Sequence, residues 1–490
     1  MNLQTLQRTS APFLLSILLA TGLSACGGSD SDSASASTTA VSDQTVEPVS
    51  QAEKVSSPYI ATDLEPVNIT PTVIDLGTYT VAKSSEITSS HGVAKVGVSR
   101  DSATTSTTSL VSSQLNWNPT PLGGKISAIQ FISSGAYEVR LGLEIGQIPA
   151  GAIFRTYPGN TRTEASQTTG AQILEIIQAN KQSGDTTDDA SMWWAPSVED
   201  DVITMEIELP PGASIDELQF TIPKIIHVYA NSAAVALKAN MISAETRAAG
   251  DSATCELDSS CYAEYTTTRN SVMLIKYLQG GDYYQCTATL LNNTKANRVP
   301  YVATANHCIS KQTVASTIES TWFFHSSSCN SLTYSSGTKS RNGATLLSTQ
   351  TNPDFTLLRL NDTPPTGVTY AGWTTSKIAN GTSVVGIHHP AGDLQKISFG
   401  AVKSALNCTI NADSSISCAD SYSSSGNMVQ IAWSKGITEV GSSGSAIFAS
   451  GKYVGLLSGG TSTCHSGDDL YTRFDQAFTA VKAWLAPSSS

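Results

Sequence analysis

The stretch VGSSGSAIF, Val440–Phe448, decides how the rest of the chain is read. Most Ser-Gly pairs in this sequence sit in linker-like surroundings, but this run leads straight into the apolar segment SAIFA. A serine hydroxyl is a poor nucleophile near neutral pH. It needs a base within hydrogen-bond reach and donors for a developing oxyanion. A glycine-rich turn can aim backbone N–H groups at one point. Ser443 is therefore the candidate nucleophile, with the amides of Gly441 and Ser443 as the candidate oxyanion hole. The G-x-S-x-G elbow of α/β-hydrolases does not fit, because position 445 is serine. By itself the run is equally compatible with a flexible loop.

Two upstream stretches change that balance. In VATANHCIS, residues 302–310, His307 stands between an apolar strand and Cys308. A lone histidine is usually structural, and a disulfide from Cys308 would pin this one at a strand end. In NPDFTLLRL, residues 352–360, Asp354 precedes another apolar strand. An aspartate after proline is commonly a turn residue. A buried one could accept the imidazole N–H, fix its tautomer and stabilise the imidazolium.

The host region is rich in strand signals. From residue 250 onward, SVMLIKYL, YYQCTATLL, YVATAN, STWFFH, ATLLST, FTLLRL, SVVGIHH, KISFGAVKS, MVQIAW, SAIFA and KYVGLLS are short strands separated by turn residues. The period then changes. Phe474, Ala477, Phe478, Val481, Trp484 and Leu485 fall on one face of a terminal helix that Pro487 stops.

The order His307, Asp354, Ser443 is the chymotrypsin order. TANHC is similar to the histidine motif of chymotrypsin-fold proteases, and GSSGSAI to their serine motif. The segments CTATLLNNT, YVATANHC, DFTLLRLN, HHPAGDLQKISFG, GITEVGSSGSAIF and LSGGTSTC resemble those of bacterial lysyl endopeptidases, over residues 250 to 486. The resemblance implies an all-β fold of two packed six-stranded antiparallel barrels with a C-terminal helix. It implies a serine endopeptidase acting through an acyl-enzyme on protein or peptide substrates, without metal or cofactor. Its cysteine layout implies bridges Cys255–Cys464, Cys261–Cys329 and Cys286–Cys308, which leaves Cys408–Cys418 as a local hairpin bridge. The region before 250 resembles the pro-regions of such enzymes.

A lysine-selective pocket needs a buried carboxylate, because a desolvated ammonium must be paired. GDDLYTRF supplies two. Aligning Tyr471 and Arg473 with the family's segment puts Asp469 on the specificity aspartate, with Asp468 as the alternative because the loop length differs. Both could equally be solvated loop carboxylates. Ser458, Gly459 and Gly460 resemble the strand that lines the pocket and pairs with substrate, although lysyl endopeptidases often carry a histidine at the position of Ser458. Trypsin-like zymogens carry an aspartate where this chain has Ser442, so Ser442 cannot pair with a newly cut N-terminus. The adjacent His388 and His389 make a poor pair of metal ligands, since neighbours on a strand point to opposite faces. They read as structural, and His465 as a surface or pocket-rim residue.

The N-terminus adds an address. Arg8 precedes APFLLSILLATGL, too short to span a bilayer comfortably but suited to a secretory signal. Leu23-Ser24-Ala25-Cys26 then resembles a bacterial lipobox, in which Cys26 is lipidated; an ordinary signal peptide is the alternative. Gly27 after the cysteine resembles lipoproteins sorted to the outer membrane. The expected division is a signal peptide 1–25, a disordered tether 26–56, a mostly β pro-domain 57–249 and the protease domain 250–490. Within the pro-domain, runs 137–145, 151–157, 201–209 and 218–230 read as strands, and 171–181 as a helix. Residues 233–249 read as an exposed connection or processing site. Eight of the nine cysteines lie after residue 250, as expected of an exported, disulfide-bearing domain. The net charge of −12, with no cluster of Lys and Arg, argues against nucleic acid. A monomer is expected, touching membrane only through Cys26. Two competing readings are a non-catalytic binding protein on a protease fold and a serine esterase. The complete His, Asp, Ser set speaks against the first.

Overall fold

A computed structural model describes residues 43–52, 69–80, 93–229, 252–331, 337–411, 415–419 and 426–488. The expected signal peptide, Cys26 and the expected 233–249 connection lie outside these residues.

The second half of the catalytic region closes on itself. Strands Ser383–His388, Lys396–Ile410, Met428–Lys435, Asp468–Arg473, Lys452–Gly460 and Ala446–Ala449 pair in that order, and the last returns to the first. Closure removes free edges, which suits short strands with one apolar face. Val384, Val402, Val429, Ile431, Ile447, Val454, Leu457 and Tyr471 form one buried cluster in this ring.

The first half is an arc rather than the expected separate six-stranded barrel. Its strands run in the order Ala344–Gln350, Phe355–Leu360, Tyr301–Thr304, Asp282–Leu291, Val272–Gln279, Glu319–Trp322 and Thr338–Ser340. The gap between its ends is crossed by Gly343, whose N–H donates to the Ile318 carbonyl at 3.1 Å. The C-terminal helix Phe474–Leu485 buries Phe474, Ala477, Phe478, Val481 and Leu485. Five of the six expected apolar positions are thus buried, and Trp484 is half-buried against the same core. The helix locks over Trp373, which Phe474 and Phe478 both contact.

The N-terminal domain is a two-layer β unit. One sheet has strands Thr72–Asp75, Lys125–Ile132, Val202–Leu209, Ile153–Pro158 and Ser166–Thr169 in that order. The facing sheet contains Met192–Trp194, Glu138–Gln147, Gln219–Val228 and Ala94–Asp101. Ile129, Phe131, Phe154, Ile203 and Met205 from the first layer meet Val139, Leu141, Phe220 and Ile225 from the second. The expected helix spans Gly170–Gln182, opened by a Thr169–Gln172 capping box, with Ile173 and Ile177 inward.

Two features depart from the expected division. The facing sheet does not end within its own domain. Ala94–Asp101 pairs antiparallel with Asp282–Leu291, so one sheet runs from the N-terminal domain into the protease arc. Residues 43–52, expected within the tether, instead form two short strands on the catalytic region. Thr45–Val46 pairs with Trp373–Thr374, and Val49–Ser50 with Thr369–Tyr370. Apolar Val46 and Val49 interrupt the Ser/Asp-rich composition that suggested a tether, and Val46 is buried.

All four expected disulfides form: Cys255–Cys464, Cys261–Cys329, Cys286–Cys308 and Cys408–Cys418. Such bridges persist in oxidising compartments and place this region outside the cytoplasm.

Candidate active site

His307 follows strand Tyr301–Thr304, and Asp354 precedes its partner Phe355–Leu360. This pairing brings the two residues together across 47 positions of sequence. The Nδ1 of His307 lies 2.7 Å from Asp354 Oδ2, and its backbone N–H donates to Asp354 Oδ1 at 2.9 Å. Both carboxylate oxygens are engaged, so the fully buried carboxylate is fixed in orientation and holds the imidazole. Nε2 is left as the ring nitrogen able to exchange a proton; it is buried and has no hydrogen-bond partner among the described residues. The Cys286–Cys308 bridge ties the residue after His307 to the neighbouring strand.

The Ser443 turn rests on that same strand. Thr287 is central: its N–H donates to the Ser443 carbonyl at 2.9 Å, and its Oγ1 donates to the Gly441 carbonyl at 3.0 Å. Gly444 N–H donates to Leu457 O and Ser445 N–H to Ser442 O, each at 2.9 Å. Gly441 and Gly444 have φ of +94° and +79°, conformations that other residues adopt only under strain. At Gly444 a Cβ would also lie 2.3 Å from Thr304 Oγ1 and 2.9 Å from Ala305 N. The serine turn is therefore pressed against the chain that leads into His307.

Ser442 is occupied differently from an ion-pairing aspartate. Its Oγ lies 2.8 Å from His388 Nδ1 and accepts from the Glu439 N–H at 3.3 Å. On the other side of the ring, His388 Nε2 lies 3.1 Å from Ser398 Oγ, which donates to the Ile437 carbonyl. The consistent assignment is a neutral imidazole with its proton on Nε2, accepting from the Ser442 hydroxyl. Burial, aided by the charges of His389 and Lys396, pushes the His388 pKa down to about 3. His388 was read from sequence only as structural; it is in fact the brace of the serine turn. His389 is also buried, with Nδ1 3.1 Å from the Asp393 carbonyl and its ring stacked near Phe324. His465 is exposed.

Replacing His388 by phenylalanine strands the Ser442 hydroxyl in the interior. The expected loss is about 1–3 kcal/mol of stability, with a fall in the titre of active sites. The sign of the pH effect follows from the depressed pKa. The unfolded chain binds a proton on His388 below about 6.5, whereas the folded chain resists until about 3. This residue thus erodes stability as pH falls through that window. His388→Gln should flatten that acid limb in thermal melts. Unchanged melts and an unchanged titre in both variants would remove His388 from this role.

The two carboxylates of GDDLYTRF are separated by strand alternation. Asp468 faces outward, pairing with Lys403 and accepting from Gln430 Nε2 at 2.9 Å. Asp469 is 1% exposed. Its Oδ2 accepts from Trp433 Nε1 at 2.6 Å, Thr438 Oγ1 at 2.7 Å and Ser462 Oγ at 2.8 Å, and its Oδ1 from Ser462 N–H at 3.2 Å. Burial raises its pKa against the pull of these neutral donors. Gly460 is required beside it, since a Cβ there would lie 1.8 Å from Asp469 Oδ1. Asp469 thus lies between the segment approaching Ser443 and the Ser458–Gly460 end of its strand. Ser458 sits at a bulge, its Oγ 2.9 Å from Thr472 Oγ1. Gly459 is half-buried and Gly460 exposed. Neither aspartate is a solvated loop residue. Trp433, Thr438 and Ser462, which hold Asp469, were not picked out in the sequence; nor was Thr287. Their roles depend on register across the barrel, which leaves no local motif.

A closed six-stranded ring beside a second β arc, with a histidine hydrogen-bonded to a buried aspartate and a glycine-rich serine turn on the neighbouring strand, is the arrangement expected of a serine endopeptidase. Comparison with known proteins narrows the class. The family profile for the lysyl endopeptidase N-terminal domain matches residues 71–229, and that for the lysyl endopeptidase C-terminal domain matches 249–473. A lysyl endopeptidase of Pseudomonas aeruginosa is 28% identical over 394 residues, 76% of this chain and 78% of that protein. The chain belongs to the lysyl endopeptidase family. Among solved structures, the active form of the Rv3671c protease of M. tuberculosis aligns with 45% of this chain and 83% of its own, at 16% identity and a TM-score of 0.31. Deg5 aligns with 46% of this chain and 94% of its own, at 15% identity and a TM-score of 0.31.

Proposed function

We propose that the chain is the precursor of a lipid-anchored endopeptidase that cleaves after lysine, with Ser443, His307 and Asp354 as its catalytic triad. The observation that carries this reading is the 2.7 Å contact between His307 and Asp354 beside the strand that holds the Ser443 turn. His307 Nε2 takes the Ser443 proton as Oγ attacks the peptide carbonyl. The amides of Gly441 and Ser443 receive the oxyanion. His307 then protonates the departing amine, and water, activated by the same nitrogen, hydrolyses the acyl-enzyme. Asp354 orients His307 and stabilises its charged form. Asp469 receives the substrate ammonium. The lipid at Cys26 holds the precursor at the outer membrane.

Residues 57–249 keep the enzyme inactive in this reading. The free edge of Asp282–Leu291 is shared three ways. Tyr301–Thr304 takes residues 289–291, the Ser443 turn meets Thr287, and Ala94–Asp101 takes residues 282–285. An N-terminal-domain strand thus lies along the edge that an extended peptide would follow from Ser443. Behind it, Lys276 of the protease pairs with Glu138 at 2.6 Å, and Arg140 donates to the Thr317 carbonyl at 2.6 Å. Burial would raise the Glu138 pKa, but Lys276 overrides it and holds it at about 2. The pair's contribution is intact above about pH 4.5 and declines as pH falls from there through about 2.

Trypsin-style insertion of a new N-terminus is not needed. In the uncut chain Ser252 Oγ already donates to Asp393 at 2.6 Å and the Ala253 N–H to Glu439 at 2.8 Å. The test is to cut ahead of Asp251, acetylate the new amine, and assay peptides with Lys, Arg, Ala or Glu at the cleaved position. Expected are cleavage after Lys and full retention of activity on acetylation. Activity that needs a free amine would overturn the activation scheme, and indifference among the four would overturn the lysine preference.

A further inference from the structure

The segment that precedes the N-terminal domain has its own seat on the protease. Thr45↔Thr374 and Val46↔Trp373 pair on one side of Pro48, Val49↔Tyr370 and Ser50↔Thr369 on the other. The ends are tied as well. Thr375 N–H donates to Gln44 O at 2.9 Å, Gln51 N–H to Val368 O at 2.8 Å and Gly367 N–H to Gln51 O at 2.8 Å. Between the two pairs, Asn292 Nδ2 donates to the Glu47 carbonyl at 2.8 Å, and Lys452 pairs with the Glu47 side chain. Pro48, which has no N–H to donate, stands where the two short ladders meet.

Two observations indicate that the seat is shaped for this segment. Val46 is 8% exposed and belongs to the catalytic region's core, with Trp373, Tyr453 and Phe474. At Gly372 a Cβ would lie 2.4 Å from Val46 O and 2.7 Å from Pro48 N. Only a residue without a side chain lets the segment lie there. None of the contacts involves Ala94–Asp101, so the segment is held independently of the strand that covers the 282–285 edge.

We infer that residues 43–52 are a clip that keeps the catalytic domain attached to its own N-terminus after the chain between the domains is cut. Cleavage within 230–250 breaks the only peptide connection between the anchored N-terminus and the protease. The clip then holds the protease by strand addition, and Cys26 lies only 17 residues upstream of the clip's first residue. Removing the N-terminal domain would thus unmask the enzyme without releasing it. This inference rests on the proposed processing, although the retention itself can be measured apart from it.

The test uses the full chain with specific protease sites placed in 53–68 and 233–249 and an affinity tag near residue 30. Cutting both sites separates the clip from the N-terminal domain and the N-terminal domain from the protease. Recovery of the protease on the tag is expected, and labelling of Ser443 by a fluorophosphonate reports activity separately. Val46→Asp, which leaves the catalytic domain's sequence intact, and Gly372→Val should each lower recovery about tenfold or more. A labelled, active protease in the flow-through of the unmutated chain would overturn the clip. Retained but unlabelled protease would sink the activation scheme and leave the clip standing.

Discussion

Ser443→Ala is expected to lower kcat by about three or more orders of magnitude while leaving the melting temperature nearly unchanged. The separation of effects follows from how the turn is built. Its shape is held by backbone hydrogen bonds from Thr287 to the Ser443 carbonyl, from Gly444 to Leu457 and from Ser445 to Ser442, and none of these needs the Ser443 hydroxyl. The strained conformations belong to Gly441 and Gly444, so alanine at 443 meets no forbidden φ. Removing Oγ takes away the nucleophile while His307, Asp354 and the turn amides remain, and those groups sustain only a residual rate over water. The measurement is burst kinetics on an activated ester, with thermal melts in parallel. A loss of less than a hundredfold with unaltered melts would mean that Ser443 is not the nucleophile. The same variant gives a stable uncut precursor if the chain processes itself.

The strands and turns that carry His307, Asp354 and Ser443 were legible in sequence because their signals are local. TANHC and GSSGSAI each carry a strand end, a reactive side chain and a small-residue turn within a few positions, and the apolar run FTLLRL marks the strand that Asp354 precedes. The terminal helix was equally legible, since one apolar stripe before Pro487 admits one reading. What was not legible depends on pairing across long separations. The run AKVGVSR at 94–100 looks like any half-buried strand, and nothing in it says that its partner is Asp282–Leu291 in another domain. The Ser/Asp-rich context of residues 43–52 outweighed Val46 and Val49, which pair with Trp373 and Tyr370. His388 and His389 looked alike as a dipeptide, yet only His388 reaches Ser442, because the strand ends between them. The resemblance placed Asp469 ahead of Asp468, but sequence alone left both open to solvent as loop carboxylates. On a strand, the two-residue alternation turns one to Lys403 and the other to Trp433 and Thr438.

That alternation makes the specificity claim sharp. Asp469→Asn is expected to lower kcat/KM for substrates with lysine at the cleaved position by about two orders of magnitude or more, while Asp468→Asn stays near the parent value. Asp469 is a buried carboxylate held by three neutral hydroxyl or indole donors and a backbone amide, and among the described residues no Lys, Arg or His forms an ion pair with it. A carboxylate so placed carries uncompensated charge in a low-dielectric site, and an incoming ammonium compensates it. Breaking one member of a buried charge pair costs about 2–5 kcal/mol, and each 1.4 kcal/mol is about tenfold. The isosteric amide also turns a donor toward either the Ser462 N–H or the three side-chain donors, so some loss of packing is expected as well. A neutral residue of similar length at the cleaved position separates the two effects. Turnover of that substrate should fall only a few-fold in Asp469→Asn, since the His307–Asp354 contact and the Ser443 turn are untouched. Equal losses on charged and neutral substrates would make Asp469 a structural strut. No loss on lysine substrates would place the ammonium elsewhere.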